Sequence, residues 1–217
     1  MPTLRQARNV PYNHLMRPIH LSVLPFALIL SLLAGSTIAA ENWPAWRGDL
    51  EGSGRASEAD LPVEWSKDKN VRWRIPLPER GNSTPAVWGD RVFVTQAIEK
   101  DKWRGLMCFR RADGELLWKN GVTYDKPERT HRTNPYCSAS PATDGKLVIV
   151  SYGSAGVACY DFEGKEQWRR DFGALDHVWG NSASPVLYGD LCIHYHGPGP
   201  GGFLIALNKK TGETVWK

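Results

Sequence analysis

The sequence lacks the clustered charges and catalytic motifs that identify several common classes of protein. No stretch of the 217 residues groups Lys and Arg with interleaved aromatic side chains, so no nucleic-acid partner is expected. No G-x-S-x-G motif and no recognisable pair of catalytic carboxylates is present, which leaves a hydrolase without support. C-x-x-C and C-x-x-C-H motifs are also missing, which argues against a cysteine metal site and an attached haem.

No apolar run reaches the ~20 residues that a membrane-spanning helix needs. The first residues instead combine three arginines, a shorter apolar run over 21–34 that contains Pro25, and small residues up to Ala40. This order predicts a signal peptide over residues 1–40, with no transmembrane anchor after cleavage and a periplasmic or secreted protein. Removing it leaves 24 basic and 23 acidic residues, so the net charge of +4 belongs mostly to the leader.

What the sequence does contain is an internal repeat. Three segments, Cys108–Trp118, Cys159–Trp168 and Ala206–Trp216, each place a small residue first, a polar turn ending in Gly, and a Trp four residues after that Gly. The Trp residues lie 50 and 48 positions apart, a period typical of stacked repeat units. The structural residues of the repeat are Gly114, Trp118, Gly164, Trp168, Gly212 and Trp216.

A second motif marks the beginning of each unit. A hydroxyl residue and Pro (Pro85, Pro141, Pro185) are followed by a Gly-Asp or Asp-Gly turn and an apolar alternating run, which predicts a hairpin. We therefore expect an all-β fold, a β-propeller of four-stranded antiparallel blades over about 82–119, 138–169 and 182–217. Closed propellers have about four to eight blades, so this ring is incomplete, either because the sequence is partial or because copies associate.

Two segments precede the first blade. Residues 41–69 carry Trp43, Trp46 and Trp65 in a polar context, which predicts an arm docked on the propeller. Residues 70–77 alternate like a lone outermost strand and place Trp73 as the other units place their last Trp.

The four cysteines are predicted to be buried rather than reactive. Cys108 and Cys159 occupy the repeat position of Ala206, and Cys192 corresponds to Val92, so three of them replace small apolar residues. Only Cys137 lies outside that scheme.

The segment from Ala206 resembles the A-x-D-x-x-T-G-x-x-x-W signature of the quinoprotein-type (PQQ-like) β-propeller repeat, with Asn208 at the Asp position. The opening Trp43–Gly48 and the segment Leu61–Trp65 also resemble secreted bacterial members of this group, so the resemblance covers residues 43–217. It implies the propeller fold. It leaves activity open, because such propellers serve alcohol and sugar dehydrogenases, outer-membrane assembly lipoproteins and other proteins.

The candidate ligand site is the set of segments that enter each blade, which we expect near the central channel. These segments bring together imidazole, guanidinium, amide and indole groups, a composition typical of a small-ligand pocket. The alternative is that the Asn and Ser side chains only satisfy backbone groups, which we favour for those residues. The candidate residues are His131, Arg132, Asn134, His177, Trp179 and Asn181.

His194 and His196 alternate on one predicted strand, so both imidazoles lie on one face, but two ligands without a third do not predict a metal site. The dehydrogenases of the resembling family use PQQ with calcium, a catalytic Asp, a stacking Trp and often a vicinal disulfide, and this chain has no vicinal Cys pair. We therefore predict a non-catalytic binding or scaffold module without a cofactor, whose partner is an unidentified protein or small molecule. The alternative is part of a PQQ-dependent alcohol or sugar dehydrogenase with PQQ and calcium.

Overall fold

The computed structural model describes residues 42–48, 52–56 and 61–217. The predicted signal peptide over 1–40 lies outside these residues. Regular structure in the described part consists of β-strands and two short 3₁₀ turns. None of its helical segments has the length and hydropathy required to cross a membrane.

The strands form three antiparallel sheets of four, which are the blades of a propeller. Blade 1 comprises β1 (Ala86–Trp88), β2 (Arg91–Ile98), β3 (Trp103–Arg110) and β4 (Leu116–Thr123). Blade 2 comprises β5 (Ala142–Thr143), β6 (Leu147–Ser151), β7 (Val157–Asp161) and β8 (Glu166–Arg170). Blade 3 comprises β9 (Val186–Tyr188), β10 (Leu191–His196), β11 (Phe203–Asn208) and β12 (Thr214–Trp216).

Within a blade each strand pairs with the next one in sequence, so every blade is a simple meander. The predicted all-β fold with three blades of an unclosed propeller is therefore confirmed. In blade 1 the hairpin of β2 and β3 is longer than its counterparts in blades 2 and 3, because its ladder continues to the pair Ile98 and Trp103. A single 3₁₀ turn, Glu99–Asp101, closes that hairpin.

The repeat has a fixed geometry where the third and fourth strands of each blade pair. The small residue that opens the motif lies opposite the Trp that ends it, in the pairs Cys108 with Trp118, Cys159 with Trp168 and Ala206 with Trp216. All three small residues are fully buried. A register shift follows directly after each of them, and it is a β-bulge that recurs at the same repeat position.

The repeat needs Gly at this position, because a Trp of the preceding unit packs against its backbone and leaves no room for a Cβ. A Cβ added to Gly164 would lie 2.5 Å from Cδ2 of Trp118, and the backbone there has a φ of +86°. The indole Nε1 of Trp118 also donates to the Phe162 carbonyl at 2.8 Å. Trp168 repeats both contacts on blade 3, where its Nε1 donates to the Lys209 carbonyl at 2.9 Å. A Trp and a Gly that lie 46 residues apart in one pair and 44 in the other thus hold neighbouring blades together.

The turn before that Gly depends on a side-chain acceptor. In blade 2, Oδ1 of Asp161 accepts the backbone N–H of Glu163 at 3.1 Å and of Lys165 at 2.8 Å. In blade 3 the same place is taken by Asn208, whose Oδ1 accepts the N–H of Lys210 at 2.9 Å. The substitution of Asn for the signature Asp therefore preserves the turn, because only an oxygen acceptor is needed.

Residues 70–77 form no strand in the structure, which corrects the sequence prediction. A strand requires a neighbour for its ladder, and no described segment pairs with this one. Pro76 moreover lacks a donor, and Asn70 has a φ of 58°. The equivalence of Trp73 to the other Trp residues nevertheless holds, since its Nε1 donates to the Arg111 carbonyl at 2.9 Å and its ring packs on Gly114.

The hydrophobic core lies between the blades. One cluster joins blades 1 and 2 around Phe93, Val148, Val150 and Tyr160. A second joins blades 2 and 3 around Ile149, Cys159, Leu187, Cys192 and Leu207.

All four cysteines are buried and unpaired. Burial raises the pKa of Cys108, Cys137 and Cys192 to about 12, and it raises the pKa of Cys159 as well. The thiols therefore remain protonated near neutral pH and act as small apolar groups.

Candidate functional site

The first strands of the three blades, β1, β5 and β9, lie side by side, and the N-terminal arm crosses two of them. Trp43 exchanges two backbone hydrogen bonds with Val87 of β1, at 2.8 and 2.7 Å. The carbonyl of Pro44 then accepts the N–H of Thr143 of β5 at 2.8 Å. Oδ1 of Asn42 accepts the N–H of Gly89 at 2.8 Å. This part of the arm is thus docked by backbone pairing.

The Trp residues of the arm do not share that docking equally. Trp43 is half-buried and packs against Gly48. Trp46 and Trp65 are 57% and 71% exposed. The expectation that three Trp residues mark docking therefore holds for the contact made by Trp43, while Trp46 presents its ring to a groove.

That groove has a volume of about 710 Å³ and lies between the arm and the inner strands of blades 2 and 3. Its lining is hydroxyl, amide and small apolar groups, together with the indole of Trp46, and none of the described residues that line it is acidic or basic. The arm contributes Pro44, Ala45, Trp46, Gly48 and Gly52; the blades contribute Asn82, Asn134, Ser138, Ser140, Ala142, Thr143 and residues 182–187.

The blade entrances are joined by a row of hydroxyl groups at the residue before each Pro. Oγ of Ser140 accepts the backbone N–H of Thr84 at 2.9 Å, and Oγ of Ser184 accepts the N–H of Ser140 at 2.9 Å. The Ser138 hydroxyl donates to the Pro135 carbonyl at 2.7 Å. These hydroxyls satisfy backbone groups, which is the role that the sequence analysis favoured for the Ser side chains.

Three of the six predicted site residues meet at one end of the groove. The rings of His131 and Trp179 are in contact, with centroids 4.5 Å apart. Nδ2 of Asn134 donates to the Trp179 carbonyl at 2.5 Å, and Asn134 also lines the groove. Trp179 is 57% exposed, so its ring is available to a ligand. The role of this cluster in binding stays a prediction.

The other three predicted residues do not join it. His177 accepts the backbone N–H of Trp179 at Nδ1, 3.3 Å away, and so shapes the turn. Asn181 is buried, donates to the Gly197 carbonyl and leaves its Oδ1 without a hydrogen bond. Arg132 is exposed, and no ion pair or hydrogen bond joins it to another described residue. Beside the cluster, Arg129 pairs with Asp176 at 2.5 Å on the surface.

A buried ion pair lies between blades 1 and 2, and the sequence did not reveal it. Arg104 of β3 pairs with Glu128, and both side chains are about 5% exposed or less. The guanidinium lies 4.1 Å from the ring centroid of Tyr136 and 4.7 Å from that of Tyr124, and it donates to the Tyr152 carbonyl at 3.1 Å. Its one sequence signal is a charged residue at the second position of a strand whose next residues, up to Phe109, carry no charge.

The two histidines of β10 are buried on the face that carries Cys192, with ring centroids 6.4 Å apart. Neither Nδ1 atom has a hydrogen-bond partner. Burial, and secondarily the charge of His196, lowers the pKa of His194 to about 4. Burial also lowers the pKa of His196, although its backbone hydrogen bond with Gly173 and the charge of Asp171 act in the opposite direction. Both imidazoles are therefore neutral at pH 7.

The residues of the groove do not fit a calcium-bound anionic cofactor. Calcium takes about six to eight oxygen ligands, usually including carboxylates, and the described part of the chain contributes no Asp or Glu to the lining of the groove. Within residues 42–48, 52–56 and 61–217, no group of three or more His, Cys, Asp or Glu side chains is placed to hold a metal ion. An anionic cofactor would also need a cationic partner, and no Lys or Arg is among the described residues that line the groove.

Comparisons with solved structures relate this fold to larger propellers. A europium-containing methanol dehydrogenase matches with a TM-score of 0.60 and 12% identity over 81% of this chain and 31% of its own. The quinohemoprotein alcohol dehydrogenase from Comamonas testosteroni matches with a TM-score of 0.59 and 19% identity over 82% of this chain and 27% of its own. The chain thus spans less than a third of either dehydrogenase, and at these identities the likeness concerns the fold alone.

BamB from Moraxella catarrhalis is also similar, with a TM-score of 0.44 and 14% identity over 68% of this chain and 54% of its own. No curated protein matches the sequence. The family model described as outer membrane protein assembly factor BamB matches residues 55–135 and 104–217, which together cover more than half of the chain. With its blades, Trp–Gly contacts and repeat signature, the chain belongs to this PQQ-like β-propeller repeat family.

Proposed function

We propose that this chain is an exported, non-catalytic PQQ-like propeller module that binds an uncharged ligand in the groove between the arm and the inner strands. The observation that carries the proposal is the lining of that groove, whose described residues offer hydroxyls, amides and one exposed indole and include no charged side chain; the Arg47 guanidinium lies 5.5 Å from the centroid of that indole. Such a surface suits a neutral ligand, since a buried charge without a partner is costly.

The export part of the proposal is supported by the leader alone. Positive residues, a short apolar run and small residues up to Ala40 have the order of a cleaved signal. N-terminal sequencing of the mature protein is expected to begin close to Glu41. A soluble cytoplasmic product that retains Met1 or begins at Met16 would contradict export.

The binding part of the proposal is supported by the family to which the chain belongs, because the matching model is described as an outer membrane assembly factor. A role in holding another molecule fits a ligand that is a protein or a small neutral compound. The competing function, part of a PQQ-dependent dehydrogenase, draws on the dehydrogenases with the same fold, but the described residues that line the groove include none of the carboxylates and cations that PQQ and calcium require.

Calorimetry on the full exported chain separates the two functions. One titration uses PQQ with calcium, while dye-linked oxidation of alcohols and sugars is followed; the other uses capped uncharged peptides and neutral oligosaccharides. We expect saturable binding only in the second titration, and we expect Trp46→Ala to weaken it at least about tenfold. Trp65→Ala is the matched control, because Trp65 is an exposed arm residue outside the groove.

Saturable PQQ binding with turnover would replace the proposal by the dehydrogenase function. Absence of binding by every neutral probe, or equal effects of the two Trp substitutions, would overturn the groove as the binding site.

A further inference from the structure

Two histidines of blade 3 lie side by side in the interior of the protein. His194 and His196 alternate on β10, so their imidazoles lie on the same face of the strand. They are 1% and 3% exposed, and their ring centroids are 6.4 Å apart. Neither Nδ1 atom has a hydrogen-bond partner among the described residues. A buried polar atom without a partner costs free energy, which suggests that the two nitrogens bind a group of their own.

The ring of His196 is held in the tautomer that a metal ligand requires. Its hydrogen bond with the backbone of Gly173 raises its pKa, as donation to a carbonyl does, and because Nδ1 has no partner, Nε2 is the donor. Oδ1 of Asp171 accepts the N–H of Gly173 at 2.8 Å and so holds this segment in place. Phe172 and Phe203 contact the same imidazole, with centroids 5.6 and 5.2 Å away. Nε2 thus carries the proton and Nδ1 presents a lone pair, as in histidines that bind metals.

Burial keeps both imidazoles in the neutral form. It lowers the pKa of His194 to about 4, and it also lowers the pKa of His196. Metal binding requires the neutral imidazole, which is therefore available at pH 7 without the release of a proton. Two exposed charges, Asp171 and Lys217, act on His196 and have opposite signs, so they do not favour a highly charged ion.

The separation of the two rings matches that of imidazoles which bind one ion from opposite sides. A metal–nitrogen bond is about 2.0 Å long and the centre of an imidazole lies roughly 1.2 Å from its nitrogens, so a linear arrangement places the centroids about 6.4 Å apart. The observed separation is 6.4 Å, and a linear complex does not restrict the angle between the ring planes, which is 55°.

The number of ligands limits which ion can bind. In the part of the chain that the structure describes, no group of three or more His, Cys, Asp or Glu side chains is placed to hold a metal. Zinc(II) usually takes four ligands, and calcium takes about six to eight oxygens, whereas copper(I) is stable with two nitrogens in a line. A divalent ion would also bring two uncompensated charges into a core built around Ile205 and Leu207.

We propose that His194 and His196 bind a copper(I) ion between their Nδ1 atoms, in a two-coordinate site within the interface between blades 2 and 3. The two imidazoles supply all the protein ligands of the ion, and the Gly173 carbonyl fixes the orientation of one of them. The site is separate from the groove and does not depend on the function proposed for it.

The test is an anaerobic titration of the full exported chain with copper(I), in competition with a coloured copper(I) chelator. We expect a single ion per chain, bound through nitrogen and without sulfur in its X-ray absorption spectrum. His194→Leu and His196→Leu each remove one of the two ligands. Each is expected to weaken binding at least about a hundredfold, because loss of a partner behind a ligand already costs about 10- to 100-fold.

Two control variants distinguish this pair from other copper ligands. His131→Leu removes a histidine outside the pair, and Cys192→Ala removes the thiol on the same face of β10. Each is expected to change the affinity less than about threefold. Urea unfolding with and without copper(I) provides a second measurement and shows which variants are folded. An ion that binds only the folded chain raises the midpoint of the parent and of both controls, and leaves the two histidine variants unchanged.

Three results would overturn the site. The first is copper(I) bound through sulfur, or bound equally well by the parent and both histidine variants. The second is zinc(II) bound as tightly as copper(I), because two neutral ligands would then not select the ion. The third is a folded parent that binds no copper(I).

Discussion

The two interfaces between blades have the same contact between a Trp and the turn of the next blade, but they bury different polar groups. Between blades 1 and 2, Trp118 binds the turn of the next blade, and the core is rich in aromatic rings that include Phe93 and Tyr160. The polar group buried there is the ion pair of Arg104 and Glu128, whose guanidinium is also in contact with two tyrosine rings.

Between blades 2 and 3, Trp168 makes the same contact with the next turn, but the core around Ile149 and Leu207 is mostly aliphatic. The polar groups buried there are His194 and His196, and each has an Nδ1 atom without a hydrogen bond. This interface therefore holds titratable groups without the compensation that Arg104 receives.

The difference teaches which part of the repeat carries stability and which part is free to vary. The Trp, the Gly and the small residue recur because they fix how two blades meet, through one indole hydrogen bond and one close approach to a turn. The residues on the blade faces recur only in size and burial. The same Trp–Gly contact is found with an ion pair at one interface and with two neutral imidazoles at the other. These different polar groups predict different responses to mutation and to pH.

The largest expected effect is at the first interface. Arg104→Met leaves Glu128 as a buried charge without its partner, and breaking such a pair costs about 3 to 5 kcal/mol in the free energy of unfolding. Urea unfolding of the full chain measures it. The double variant Arg104→Met with Glu128→Leu removes both charges and is expected to regain most of the loss. A single variant as stable as the parent would show that the pair does not hold the blades.

The next effect is specific to the second interface. The pKa of His194 is about 4 in the folded chain and about 6.5 as a free side chain, so the unfolded state binds the proton more readily. Stability contributed by neutral His194 is present above pH 6.5 and is lost as the pH falls toward 4, by about 3 kcal/mol in total.

The measurement is the free energy of unfolding of parent and His194→Leu between pH 7 and 4. The difference between the two curves isolates His194 from the acidic residues that also titrate in this range. A variant that loses stability as steeply as the parent would place the proton uptake elsewhere.

Loss of the Trp hydrogen bond is expected to cost less stability than the two changes above, and to cost the same at both interfaces. Trp118→Phe and Trp168→Phe each remove one indole donor and leave a turn carbonyl unpaired, at a cost of about 1 to 3 kcal/mol. Thermal unfolding of both variants tests whether the Trp hydrogen bond contributes equally to stability at the two interfaces. Costs that differ by more than about 2 kcal/mol would mean that the surrounding core, and not the Trp contact, decides the stability of each interface.

The fold was predictable because its signals are local and repeated. Gly and Trp at a fixed spacing, with turn residues between short apolar runs, specify strands, hairpins and blades without long-range information. The strand predicted over 70–77 was wrong because its alternation could not show whether a neighbour was present to pair with it. Trp73 was still placed correctly, since its contact depends on a turn within the repeat.

The candidate site was harder to predict because its parts come from segments distant in sequence. His131 and Trp179 lie 48 residues apart, and their contact follows from the stacking of blades 2 and 3. The groove was not predicted because its second wall is the arm. The path of the arm across β1 and β5 is set by backbone hydrogen bonds, which leave no pattern in the sequence. Arg104 was missed because its partner Glu128 belongs to an irregular segment.

The smallest expected effect concerns Asn208, which replaces the Asp of the repeat signature in blade 3. Asn208→Asp restores the signature residue, and its Oδ1 keeps the role of accepting the N–H groups of Lys210 and Thr211. A carboxylate accepts these bonds at least as well as an amide, so we expect a change within about 0.5 kcal/mol in the free energy of unfolding. Asn208→Ala is the matched control, because it removes the acceptor and leaves two turn donors to water, at a cost of about 1 kcal/mol. Urea unfolding of the two variants gives both values. If Asp is as damaging as Ala, the amide nitrogen of Asn208 has a role of its own, and blade 3 then differs from blade 2 in its turn as well as in its buried histidines.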